Sequence, residues 1–138
     1  MSSLRIFVSI VIIIIFFSCK KEVQVDQPLK DLLKSGGSWT ISDFHDDLNT
    51  SINYTGTTLV FHTDEKMQLQ SDTVSGNGTW RTSSVGDGVN GVSFVSIDLE
   101  GDDFLYLESK WAVLTMTNTQ IELSSGMWMH YYMTIVKN

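Results

Sequence analysis

A chain of 138 residues with sixteen Asp and Glu against nine Lys and Arg, a formal charge of −7, one Pro and one Cys suits a single globular domain. With 42% of its residues hydrophobic it is neither disordered nor collagenous. The acid excess argues against nucleic acid, whose phosphates require a basic face, and a single Cys excludes a disulfide framework and a thiolate zinc site.

The apolar residues are unevenly placed. Residues 6–17 read IFVSIVIIIIFF, preceded by Arg5 and followed by Ser18 and the only cysteine, Cys19. As a helix this run would span roughly 18 Å, short of the ~30 Å hydrocarbon core, so a signal peptide fits better than a spanning segment. Apolar run, small residue and Cys together resemble a bacterial lipoprotein signal. That resemblance implies diacylglyceryl attachment at the Cys19 thiol, cleavage after residue 18, and acylation (palmitate-like) of the new amine. The usual box prefers Leu three residues before the Cys, where this chain has Phe16. The alternatives are an uncleaved anchor and an ordinary secretory signal. Lipidation also consumes a thiol that would be a liability in an oxidising compartment, and two or three acyl chains hold a protein stably where one is marginal. Loss of Arg5 with the leader leaves eight Lys and Arg against sixteen acids, a charge of −8. Residues 1–18 are therefore read as signal peptide, 19–27 as lipidated Cys and short tether, and 28–138 as the folded domain.

Pro28, Leu29, Leu32 and Leu33 form the one helical pattern, running to Lys34, and Ser35-Gly36-Gly37 ends it. From Ser38 onward the period changes to two. Residues 58–62, 67–70, 95–99, 120–123 and 129–136 alternate or nearly so and are rich in Thr, Val, Ile and aromatics, as half-buried antiparallel strands are. Turn formers recur between them: Asn49, Gly56, Asp64-Glu65, Ser75-Gly76-Asn77-Gly78, Gly86-Asp87-Gly88, Gly101-Asp102-Asp103, Thr117-Asn118-Thr119 and Ser124-Ser125-Gly126. The expected fold is all-β, a small eight-stranded antiparallel up-and-down barrel preceded by one short helix, with an open sandwich as the competitor.

Gly37-Ser38-Trp39 opening the first strand, Leu59-Val60-Phe61 before Asp64-Glu65-Lys66, then Gly78-Thr79-Trp80, and then residues 114–119 (LTMTNT) follow one another in order. In this the chain resembles the lipocalin superfamily, and specifically the small lipocalin-like lipoproteins of Bacteroidetes, over residues 29–137. The resemblance implies a calycin-type barrel with Gly37, Trp39 and Trp80 as structural motif residues, and outer-membrane residence in the cell envelope. Lys20 after Cys19 avoids the Asp that retains some lipoproteins at the inner membrane. One departure concerns the Arg that larger lipocalins place over the motif tryptophan from the last strand. Here the last strand offers no cation before Lys137, and Arg81 beside Trp80 is the other candidate.

Eight strands enclose space for side chains or for one small ligand. Bulky candidates for the inward face are Ile41, Leu59, Phe61, Met67, Leu69, Val95, Ile97, Leu99, Leu114, Met116, Ile121, Leu123, Tyr131, Met133 and Ile135, which favours a filled barrel with a shallow cup at one end. Tyr54, Trp111, Trp128 and Tyr132, with Tyr106, are the candidate cup residues; each has a competing role in core or rim. The residues of 43–47 (DFHDD), 86–91 (GDGVNG) and 100–103 (EGDD) contain metal-type ligands, but their spacing matches no established loop and they read as solvated hairpin ends. There is no Cys nucleophile, no Gly-x-Ser-x-Gly elbow and no His-Glu-x-x-His, so the expected protein is not an enzyme and takes no cofactor or metal. Two functions stand: a membrane-anchored barrel binding a small apolar ligand or short peptide or glycan in its cup, or a non-catalytic module holding another envelope protein through its outer face or loops.

Overall fold

A computed structural model describes residues 27–35, 37–50, 53–86, 90–126 and 129–138. The apolar run 6–17, Cys19 and its tether, Gly36, residues 87–89 and Trp128 lie outside the described residues.

Helix α1 (Gln27–Lys34) is followed by eight strands: β1 (Trp39–Asp46), β2 (Thr58–Phe61), β3 (Lys66–Gln70), β4 (Ser75–Val85), β5 (Val92–Leu99), β6 (Ser109–Met116), β7 (Gln120–Ser125) and β8 (Tyr131–Lys137). They form a closed barrel in sequence order, every pair antiparallel, with β8 returning to β1. The fold is thus the expected all-β, eight-stranded barrel preceded by one helix. Closure leaves neither a first nor a last strand as a free edge.

Up-and-down order sorts the connections to two ends. At the helix end lie α1, the β2–β3, β4–β5 and β6–β7 hairpins and the C-terminus; at the loop end lie residues 47–57, 71–74, 100–108 and 126–130. Leu29 and Leu33, one turn apart, are buried and plug the helix end, and Lys30 Nζ reaches Glu65 Oε1 of the β2–β3 turn at 3.5 Å. Gly37 leaves the helix with φ +93°, a conformation open to glycine, and Trp39 follows fully buried as the first inward residue of β1.

The inward residues alternate along each strand, as a pleated sheet with one dry face requires. Trp39, Trp80 and Trp111, Phe44, Ile41, Leu59, Met67 and Ile121 are all but inaccessible, and Phe61 meets Trp80 edge-on at 5.2 Å. Among the described residues the apolar core runs from Leu29 to Ile135 inside one closed barrel, so segment 27–138 carries its own core and wall.

Two expected placements are corrected. Leu114 is 54% and Met116 41% exposed rather than inward: Leu114 follows Val113, which faces buried Leu123, and so takes the outer side of the pleat, while Met116 faces Ile121 beyond a bulge between Val113 and Thr115 but is the last residue of β6, at the helix end. Likewise, Ser75-Gly76-Asn77-Gly78 is not a turn but the first half of β4. Its two glycines face inward beside Leu69 and Met67, where bare α-carbons leave room. A Cβ on Gly76 would sit 3.0 Å from the Phe104 ring, and one on Gly78 would sit 2.3 Å from the Asp98 carbonyl oxygen.

Candidate binding surfaces

The loop end is where a small barrel offers a cup, and here it is occupied by the protein's own rings. Phe44, inward from β1, meets Tyr54 edge-on at 5.0 Å and Trp111 at 5.8 Å, and stacks near Tyr131 at 6.0 Å. Tyr54 in turn lies 6.0 Å from Phe104, which descends from loop 100–108 onto the space that Gly76 leaves open. Leu107, in the 3₁₀ turn Leu105–Leu107, is buried beside them, and its carbonyl accepts a 2.9 Å hydrogen bond from Trp111 Nε1. Burying rings of this size contributes about 1.5–3 kcal/mol each, and the edge-on pairs add ~0.5–1.5 kcal/mol. Burial also raises the Tyr54 hydroxyl above its ordinary pKa, while a hydrogen bond with the Tyr106 backbone works in the opposite direction.

Of the candidate cup residues, Tyr54 and Trp111 both pack on Phe44, whereas Tyr132 lies apart from them. Trp111 is fully buried in the core, and Tyr54 is half-buried as part of the stopper above it. Tyr132 is on the outside of the barrel, where its ring stacks on His45 at 5.2 Å. The motif residues Gly37, Trp39 and Trp80 are gathered at the helix end, and Trp80 Nε1 donates to the His62 carbonyl at 3.0 Å.

Clefts open on the outside of the barrel. One of about 270 Å³ lies between Leu114, Glu122, Tyr132 and Thr134 and the pair Asp43–His45, in which His45 Nδ1 is 2.7 Å from Asp43 Oδ2. Another, of about 680 Å³, opens beside His62, Lys66, Gln68, Asn77, Thr79 and Glu100 on the outer face of β3 and β4. Both are open to solvent and lined by a mixture of polar and apolar groups.

Beside Asp43, which pairs with His45, the other two acids of segment 43–47 are spent on the backbone. Asp46 Oδ1 accepts from the amides of Leu48 and Thr50 at 3.0 and 2.9 Å, and Asp47 Oδ2 accepts from the His130 amide at 3.1 Å. This ties loop 47–57 to the start of β8. Among the described residues no group of three or more His, Cys, Asp or Glu could hold a metal ion.

What sequence reasoning missed is the exposed side of the loop end. Leu48 is 79% exposed, Leu105 54%, Tyr106 47% and Met129 47%; of these only Tyr106 stands out in sequence, as a cup residue, and Met129 reads as the start of a strand. The available signal is residues 104–107 (FLYL), an apolar run directly after Asp102-Asp103 and lying between two strands rather than in one.

Among the described residues no helix is long and apolar enough to cross a membrane. Compared with protein-family models, with curated proteins and with solved structures, the chain matches none.

Proposed function

We propose that this protein is a non-catalytic docking module, lipid-anchored at Cys19 in the bacterial cell envelope, that holds a partner protein through its outer surface. The small closed barrel is compatible with a binding module, and one observation turns that general role outward. The end of the barrel where a cup would form is stoppered by Phe44, Tyr54, Phe104, Trp111 and Tyr131. To admit even a small apolar ligand, the barrel would have to expel rings that already bury their surface against one another, with no net gain in apolar burial. An outward role needs none of this. The anchor rests on the run of residues 6–17 leading to Ser18-Cys19.

Native mass spectrometry of segment 27–138, produced in a bacterial envelope and purified without detergent, tests the reading. The expected spectrum shows the bare polypeptide mass. Added mass that leaves on gentle activation would mean a carried ligand and would replace the docking module with a transport or storage barrel.

A further inference from the structure

Exposed apolar side chains occur also at Val85, Val92, Leu114 and Met116, but at the loop end they coincide with acidic loops free of Lys and Arg. Leu48, Leu105, Tyr106 and Met129 stand exposed on three loops that meet: the Tyr106 ring lies 5.5 Å from that of Tyr131, and the His130 amide binds Asp47, the neighbour of Leu48. Clustered exposed apolar side chains on a small soluble domain mark interaction sites. Around them, the four loops of this end carry the acids Asp47, Asp72, Glu100, Asp102, Asp103 and Glu108 and not one Lys or Arg. The nearest cation, Lys110, is held over the Phe94 ring at 4.4 Å. Lys30, Lys34, Lys66 and Lys137 are all at the opposite, helix end.

We propose that the loop end is the docking surface, and that its partner is a cationic amphipathic protein segment, with apolar side chains to meet the four exposed residues and Lys or Arg to meet the acids around them. This deepens the docking reading above and rests on it. Charge complementarity selects this occupant. An anionic lipid surface is repelled by the acidic loops. A two-fold dimer through the same patch would set acid against acid, since such an interface places one surface against itself. A basic partner is drawn in by the long-range field and then held by apolar contact. The rings beneath the patch are already ordered against Phe44 and Phe104, which lowers the cost of binding.

The test uses isotope-labelled 27–138 and three synthetic peptides: one of Lys, Leu and Trp in amphipathic order, one with every Lys replaced by Glu, and one with every Leu and Trp replaced by Ser. Only the first is expected to bind. Its amide shifts should be confined to residues 47–50, 100–108 and 129–131, and its affinity should fall with added salt. Leu48→Ser with Leu105→Ser, or Asp102→Asn with Asp103→Asn, should each weaken it by about tenfold or more. Leu48 and Leu105 are exposed, so a thermal melt should show these variants folded. Equal binding of the Glu or Ser peptide, shifts on the outer face of β3 and β4, or unchanged affinity in the variants overturns the proposal. So does recovery of the domain on zwitterionic vesicles, which makes the patch a lipid contact, or a dimer abolished by Leu48→Ser, which makes it a self-contact. Any of these with a bare native mass leaves the docking reading in place; a carried ligand removes that reading itself.

Discussion

Lys137, the last residue of the closing strand, reaches across the seam of the barrel to Trp39, the first residue of the opening one. Its Nζ is 6.0 Å from the indole centroid and donates a 2.8 Å hydrogen bond to Ser35 Oγ at the end of α1. The cation over the first-strand tryptophan is thus Lys137 and not Arg81. Trp39 Nε1 is buried with no hydrogen-bond partner among the described residues, so the indole is held by its faces alone. Lys137→Met should therefore loosen the helix end, lowering stability by about 1 kcal/mol, the scale of a cation–π contact plus one exposed hydrogen bond. Chemical denaturation should show the loss, and Lys137→Arg should recover most of it.

Trp111→Phe tests whether the aromatic stopper holds the barrel together. The substitution removes part of the indole volume and leaves the Leu107 carbonyl without its donor. A loss of about 2–3 kcal/mol is expected from the cavity and the orphaned acceptor together, read as a lower urea midpoint at unchanged slope. A neutral result would mean that the stopper is loosely fitted and that the barrel has space to spare.

Gly78→Ala should be costly although it adds one methyl group. That methyl would meet the Asp98 carbonyl oxygen at 2.3 Å, backbone against backbone, so β4 and β5 must separate. The expected cost is about 1–3 kcal/mol, the range for overfilling a tight site. Gly56, with open space around its α-carbon, would not meet this contact on substitution, and Gly56→Asn, which tolerates its positive φ, provides the control.

Tyr54 predicts an alkaline limit to stability. Its hydroxyl is raised in the folded state, so the folded barrel keeps the proton that the unfolded chain loses at its ordinary value of 10.0. Below that value the two states hold the proton alike and Tyr54 gives no pH dependence. Above it the unfolded state is favoured until the folded pKa is passed. Unfolding free energy should fall as pH rises past 10.0, and Tyr54→Phe should flatten that fall. An unchanged alkaline slope in Tyr54→Phe would assign the effect to another group.

Cys19→Ser should release the domain from membranes into soluble fractions, because it removes the atom to which the acyl chains attach. Persistence of the variant in washed membranes would defeat the lipoprotein reading and leave the apolar run 6–17 as an uncleaved anchor.

Residue chemistry made the fold legible wherever one face of a strand is dry. Period-two alternation located β2, β3, β5, β7 and β8 to within a few residues, and the Leu29, Leu32, Leu33 spacing located α1. It failed where backbone geometry intervenes. The bulge between Val113 and Thr115 shifts the alternation of β6 by one residue with no change in composition. The glycines of β4 imitate a turn because their value there is the absence of a Cβ. The surface was harder still. Tyr54, Trp111 and Tyr132 are all aromatic and near strand ends, yet they fall in the stopper, the core and the outer wall, because each lies on a different side of the pleat or in a loop whose path the local sequence does not specify.

The pairing of β1 with β8 also sets a timetable. The ring cannot close until its final strand has been delivered, so a chain emerging N-terminus first during synthesis must wait with the edges of β1 and β7 unsatisfied. Completion is all-or-none and is triggered by the last few residues. Deleting β8 would leave two raw edges, and the product should be an aggregating or proteolysed chain rather than a smaller barrel. This amounts to quality control by topology, since only copies that include β8 acquire the closed wall.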